Sequence, residues 1–195
     1  MTLRIVVTGS ECTGKTTLAR RLAAHLGAPW LPEAAREYAT ERLRGGGGLT
    51  ASDVAPIAHR TAAADDAALS GAPALLVLDT DLISTIVYAR HYYGACEPWI
   101  EAEARVRRGT HYLLCAPDLP WVADGVRDRP AARATMHTLF VAALEEFGAT
   151  VTVISGRDRA REELAIAAAD GVADAGTHAG AEAISSAAST ETIGR

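Results

Sequence analysis

The sequence predicts a three-layer α/β/α fold, a five-stranded parallel sheet with helices on both faces. Three observations predict it. Short apolar runs alternate along the chain with longer stretches of helical spacing, the pattern of strands joined by crossover helices. The first run is largely apolar throughout, as a strand covered on both faces is expected to be. A glycine-containing loop separates the first run from the first helix, at the strand end where such sheets bind ligands.

The elements follow in order. Leu3 to Thr8 is the first strand, and Leu18, Leu22 and Leu26 form the buried stripe of a helix that stops at Gly27. Pro29 to Leu31 is a short second strand, followed by a helix from about Glu33 to Arg44. Gly45 to Gly48 reads as a surface loop rather than a second phosphate loop. Thr50 restarts a helix as an N-cap, with Asp53 three residues on completing an imperfect capping box. Ala74 to Leu78 is the third strand and runs into Asp79-Thr80-Asp81; His111 to Cys115 and Val151 to Ile154 are the fourth and fifth. An arginine-rich segment, about residues 118–133, leads into a helix that reaches about Phe147, and a last helix spans roughly Arg159 to Asp170. The domain is therefore expected over 1–170. The tail, 171–195, is rich in Ala, Gly, Ser and Thr and is expected to be disordered from about residue 175.

Hydrophobic residues make up 49% of the 195 and charged residues 22%, a balance that suits one globular domain. A net charge of −5 excludes the large basic face of a duplex binder, so no nucleic-acid partner is expected. No apolar run reaches the roughly 20 residues of a membrane span, and Met1 to Ile5 show no secretion signal. No membrane partner and a cytoplasmic location are the expectations. Cys12, Cys96 and Cys115 are far apart and form no Cys-x-x-Cys pair, which suits reduced thiols and excludes a zinc site. The basic count is skewed: 18 of 19 cations are arginine, and the one lysine is Lys15.

Lys15 sits in Gly9-Ser10-Glu11-Cys12-Thr13-Gly14-Lys15-Thr16, which fits G-x-x-x-x-G-K-[ST] in its required context, after a strand and before a helix. Glycines let successive backbone N–H groups turn inward toward phosphate oxygens, and the helix N-terminus adds about half a positive charge. A compact ammonium on a flexible stem can follow charge between the β- and γ-phosphates, a task ill suited to a planar guanidinium. The loop predicts ATP binding with Gly9, Glu11, Cys12, Thr13, Gly14, Lys15, Thr16 and Thr17 as contacts, and Mg²⁺ on the Thr16 hydroxyl. Cys12 reads as a small space-filling residue rather than a thiol nucleophile.

Phosphoryl transfer to a hydroxyl also needs a metal anchor, a base and cations for the spreading charge. Asp79, closing the third strand, suits a carboxylate that holds Mg²⁺ or directs the acceptor; a helix N-cap is the alternative. Asp81 points to the opposite face if the chain stays extended. Glu33, Arg36 and Glu37 share one helix face, either as a site or as a surface salt bridge. Arg127, Arg129 and Arg133 lie in the 118–133 segment, a lid that closes over nucleotide or else a solvated loop.

Four blocks carry a resemblance over about residues 3–155. They are the loop from Gly9 to Thr16; Pro32-Glu33-Ala34-Ala35-Arg36-Glu37-Tyr38; Leu78-Asp79-Thr80-Asp81; and Pro120-Trp121-Val122-Ala123-Asp124-Gly125-Val126-Arg127. With these blocks the chain resembles the nicotinamide riboside kinase domain of bacterial NadR-type proteins. The resemblance implies a P-loop NTPase of the nucleoside/nucleotide-kinase type, with ATP as donor and a nucleoside-like acceptor. It implies catalytic roles for Lys15, Asp79, Glu33 and Arg127, acceptor contacts from Glu33, Arg36, Asp79, Asp124 and Arg127, and nucleotide contact from Arg129. Where the family often has an aromatic after the Glu of the second block, this chain has Ala34; Trp30, Tyr38 and Trp121 are the other rings available to clamp a flat acceptor. NadR proteins carry further domains, and this chain corresponds to the kinase module. A nucleotide-sensing module without kinase activity is the competing expectation, and oligomeric state is not readable.

Overall fold

The computed structural model describes residues 2–120 and 133–191, with side chains through residue 176. Its strands are β1 (Leu3–Thr8), β2 (Trp30–Leu31), β3 (Leu75–Asp79), β4 (His111–Cys115) and β5 (Val151–Ile154). The helices are α1 (Lys15–Leu26), α2 (Ala34–Arg44), α3 (Val54–Ser70), α4 (Leu82–Tyr93), α5 (Pro98–Val106), α6 (Arg133–Glu146) and α7 (Asp158–Glu191), with a single 3₁₀ turn at Ala51–Asp53. The strands form one parallel sheet in the order β2-β3-β1-β4-β5. This is the α/β architecture of P-loop kinases.

The central strands β1, β3 and β4 are apolar through their buried stretches because alternate residues meet different helical layers. Val6, Leu76, Leu78, Tyr112 and Leu114 pack against α3, α4, α5 and α6. Ile5, Val7, Val77, Leu113, Cys115 and Ile154 pack against α1 and α7. Leu18 and Leu22 are the buried stripe of α1, and full burial of one such leucine stabilises by about 2 kcal/mol. The helix stops where Gly27 turns left-handed and the Gly27 and Ala28 amides bond back to Ala24 and Ala23.

Register sets the site. Val7 pairs with Asp79 and Thr8 with Leu114, so β1, β3 and β4 end level with one another. Thr50 and Asp53 make both hydrogen bonds of the capping box ahead of α3. The stretch from 82 to 110, to which spacing assigns no element, holds α4 and α5. Pro98 opens α5, where its missing N–H costs nothing.

The last helix differs from expectation. It passes Asp170 and continues to Glu191. Val172 still packs on the α1/α7 core, and Gly176 lies against the Leu3 side chain, which would have to shift to admit a Cβ there. Alanine, the best helix former, then carries the backbone onward without needing large apolar residues. Among the described residues no helix is long and apolar enough to cross a membrane, and no disulfide joins Cys12, Cys96 or Cys115.

Candidate active site

The phosphate loop begins where β1 ends. At Gly9 the backbone takes φ +132°, and a Cβ would lie 2.8 Å from the Cys115 carbonyl oxygen, so only glycine fits between β1 and β4. Gly14 turns left-handed at φ +77° and caps α1 with no side chain bonding its first amides. That leaves the helix N-terminus open to an anion. Within the loop, Thr13 Oγ1 donates to the Ser10 carbonyl at 2.8 Å and Lys15 Nζ donates to the same oxygen at 2.7 Å. The sole lysine is thus folded over its own loop.

Thr16 Oγ1 donates to Asp79 Oδ2 at 2.6 Å, joining α1 to the end of β3. Asp79 is 2% exposed, and its other oxygen, Oδ1, is buried with no hydrogen-bond partner. Burial pushes the Asp79 carboxyl above the usual range and the charge of Glu33 adds to this, while the Thr16 bond, Lys15 and Arg36 pull it down. Loop, second-strand exit and third-strand exit therefore share one electrostatic neighbourhood. An orphaned carboxylate oxygen beside a hydroxyl offers hard oxygen donors for a divalent cation that draws its remaining ligands from phosphate and water. Among the described residues no cluster of three or more His, Cys, Asp or Glu could hold a metal by itself.

Asp81, two residues on, does different work. It caps α4, accepting from the Ile83 amide at 3.0 Å and from Tyr112 Oη at 2.6 Å, on the far face of the sheet from α1. The N-cap alternative weighed for Asp79 belongs to Asp81.

A cleft of about 420 Å³ opens beside the loop. Glu11 and Glu33 stand at one part of its wall, and Thr80, Ser84 and Thr85 supply hydroxyls. α2, the glycine loop, α3 and α4 complete it with apolar side chains and the rings of Tyr88, Tyr92 and Tyr93. Tyr88 and Tyr92 stack with ring centroids 6.1 Å apart and planes 11° from parallel.

The expected site residues distribute as follows. Glu11 and Glu33 are buried on the cleft wall, whereas Asp79 lies behind Thr16, with Thr80 taking its place at the wall. Cys12 is half-buried in the loop at φ +52°. Thr17 and Arg36 are exposed, Arg36 near enough to act on the charge of Asp79. Asp124, Arg127, Arg129 and Trp121 lie outside the described residues; Arg133 is described and bonds to the Leu119 carbonyl at 2.9 Å and to that of Cys12 at 3.4 Å. Trp30 and Tyr38 are packing residues: Trp30 lies under Arg20, and Tyr38 donates to Asp53 at 2.8 Å beneath Arg60. The rings at the cleft are instead those of α4, and the signal for them was a clustering of three of five tyrosines in residues 88–93.

Comparison with known proteins adds to this geometry. The AAA_28 family, described as an AAA domain, matches residues 4–161. The trifunctional NAD biosynthesis/regulator protein NadR of Escherichia coli strain K12 is 31% identical over 145 residues, and that of Salmonella typhimurium strain LT2 is 30% identical. Each alignment covers 73% of this chain, which spans about a third (35%) of the length of these relatives. Among solved structures, a NadR protein in complex with NR superposes with a TM-score of 0.71 at 29% identity, covering 86% of this chain and 50% of that one. A NadR protein in complex with NAD and AMP-PNP gives 0.67 at 28% identity, covering 86% and 48%. A thymidylate kinase from Ehrlichia chaffeensis, at 14% identity and a TM-score of 0.63 over 86% and 96%, shares the fold.

Proposed function

We propose, from the premise that the chain belongs to the AAA_28 family of AAA domains, that it is an ATP-dependent kinase of a nucleoside-type hydroxyl, with nicotinamide riboside as acceptor. One observation carries the reading. The phosphate loop opens through Glu11 and Glu33 into a cleft walled by hydroxyls and three tyrosines, a shape and chemistry suited to a ribose bearing a flat ring. Its likeness to NadR proteins, one of them solved with NR and one with AMP-PNP, supports that acceptor and ATP as donor.

In this reading the loop amides and the N-terminus of α1 bind the β- and γ-phosphates of ATP. Lys15 gives up the Ser10 carbonyl for phosphate oxygens and stays with the charge as it moves. Thr16 and Asp79 hold Mg²⁺, which neutralises phosphate charge when bound. Glu33 takes the proton of the acceptor hydroxyl as its oxygen bonds to the γ-phosphorus, and the bond from that phosphorus to the bridging oxygen breaks, releasing ADP. Glu33 is preferred to Asp79 as the base because it faces the cleft, while Asp79 is engaged with Thr16. Asp124 and Arg127 contact acceptor and transferring phosphate from the lid, Arg129 contacts nucleotide, and Arg36 adds a cation at the rim.

The test is incubation of the protein with ATP, Mg²⁺ and a panel of nucleosides, alongside Lys15→Ala, with products separated and weighed by mass. Monophosphate formed from nicotinamide riboside, and lowered about 10²–10³-fold in Lys15→Ala, is the expected result. Turnover of a different acceptor would overturn the choice of substrate. ATP binding without any phosphorylated product would overturn the kinase reading and favour a nucleotide sensor.

A further inference from the structure

We propose that Arg161, on α7, is the positioning residue that sets the phosphate loop for nucleotide; the proposal rests on ATP being the ligand of that loop. Arg161 is 5% exposed and projects from α7 into the junction of three strand exits. Its Nη2 donates to the Thr13 carbonyl at 2.9 Å and to the Ala116 carbonyl, just after β4, at 3.3 Å. Its Nη1 donates to Asp118 Oδ1 at 2.8 Å and to the Gly156 carbonyl, after β5, at 3.2 Å. Asp118 closes the ring by accepting from the Gly156 amide at 2.6 Å.

The geometry has a direct consequence at the loop. In a trans peptide the C=O of one residue and the N–H of the next point in opposite directions. Holding the Thr13 oxygen toward α7 therefore aims the Gly14 N–H the other way, into the mouth of the loop at the start of α1. Arg133, from α6, separately bonds to the Cys12 carbonyl at 3.4 Å. A guanidinium can bridge four acceptors because its fork is planar and rigid, and its buried charge lies directly behind the anion site. Lysine could satisfy one carbonyl from the same backbone position but not the fork. Arg161 touches neither nucleotide nor acceptor in this account; it acts through Thr13.

The test uses the full chain and Mg²⁺-ATP. Dissociation constants are measured by calorimetry for wild type, Arg161→Lys and Arg161→Met. Arg159→Ala is the control, since Arg159 lies on the same helix but is exposed and pairs with Glu163. All four are assayed well below their measured melting temperatures. Misplacement of about 1 Å in a binding group costs up to about 10²-fold. The expected result is ATP binding weaker by about 10–100-fold in Arg161→Met, an intermediate value in Arg161→Lys, and no change in Arg159→Ala. The KM for ATP should rise with that of the acceptor unchanged, a split that general loosening of the fold would not give. Wild-type affinity in both Arg161 variants overturns the proposal alone. Loss of fold in both also overturns it, because Arg161 would then be a structural residue. No ATP binding by wild type overturns the kinase reading and the proposal with it.

Discussion

Replacing Asp81 with alanine is expected to unfold the wall of the cleft before it touches the phosphate loop. Asp81 is 7% exposed and accepts from the Ile83 amide at the start of α4 and from the hydroxyl of Tyr112, which is fully buried, with the Ser84 amide also bonding to it. Loss of an N-cap costs about 1 kcal/mol. Tyr112 keeps the Gly109 amide as a donor to its oxygen, at 2.9 Å, but loses the acceptor for its own proton. Stranding a buried donor costs about 1–3 kcal/mol. Together these give a loss of about 2–4 kcal/mol. For a chain of this size that is a fall in melting temperature of roughly 5–15 °C. Asp81→Asn should lose less, since its amide oxygen can still cap α4. Burial raises the Asp81 carboxyl above its usual range, against the bonds from Tyr112 and Ile83. The native state therefore holds this proton more tightly than the unfolded chain. The stability Asp81 contributes is complete below the ordinary carboxylate pKa and declines as pH rises through the raised value. Urea melts of wild type and both variants, at neutral pH and at about pH 3.5, just below the ordinary carboxylate range, measure this. The deficit of Asp81→Asn should be larger at the acid pH. A loss under about 0.5 kcal/mol in Asp81→Ala, the range of ordinary surface substitutions, or a deficit that grows with pH, would refute the reasoning.

Asp53 should show the opposite pH dependence. Burial pushes its carboxyl up, but bonds from Tyr38 and from the Thr50 amide and hydroxyl, with the charge of Arg42, hold it below the usual range. Its contribution is present above the ordinary carboxylate pKa and is lost as pH falls through the depressed value, so Asp53→Ala should cost about 2–3 kcal/mol near neutrality and less in acid, by the same melts. Gly9→Ala should destabilise by about 1–3 kcal/mol from backbone strain alone and further from its clash with the Cys115 carbonyl, read as a lowered melting temperature. Tyr92→Ala removes a partly exposed ring from the cleft and should raise the acceptor KM about 3–10-fold, matching the roughly 0.5–1.5 kcal/mol of an aromatic pair, with ATP binding unchanged in calorimetry.

What was legible in the sequence was whatever local physics fixes. β4 falls on the predicted residues because a strand covered on both faces is apolar through its buried length, and β5, an edge strand with Val151 and Val153 exposed, because its short β-branched run has no helical period. The phosphate loop is legible because its glycines and Lys15 are required by backbone geometry and charge within eight residues. The cleft was not legible, because apolar and aromatic side chains occupy more than one side of α4, interrupted by Ser84, Thr85, Arg90 and His91. Leu82, Ile83, Ile86 and Val87 face the core, while Tyr88, Tyr92 and Tyr93 face the cleft. Periodicity finds one apolar face, and here two adjoin. Arg161 was hidden for a different reason. Nothing around it in the sequence separates a buried arginine from Arg157 and Arg159 nearby, and its partners Thr13 and Ala116 are brought to it only by the order of the strands.

That order also bears on how the loop would serve nucleotide and acceptor in the proposed reading. β1 lies between β3 and β4, so its loop has a different neighbour on each side. On the β3 side stand Asp79, Thr80 and α4, with Glu33 arriving from the end of β2, and these build the cleft. On the β4 and β5 side stand Ala116, Asp118, Gly156 and Arg161, which grip the loop through the Thr13 carbonyl and leave the cleft untouched. Thr16 and Lys15 sit at the boundary, one bonded to Asp79 and the other folded back on the loop. In the proposed reading, altering α2 and α4 would change the acceptor with little effect on nucleotide binding, because Arg161, which holds the Thr13 carbonyl, comes from the other half of the sheet.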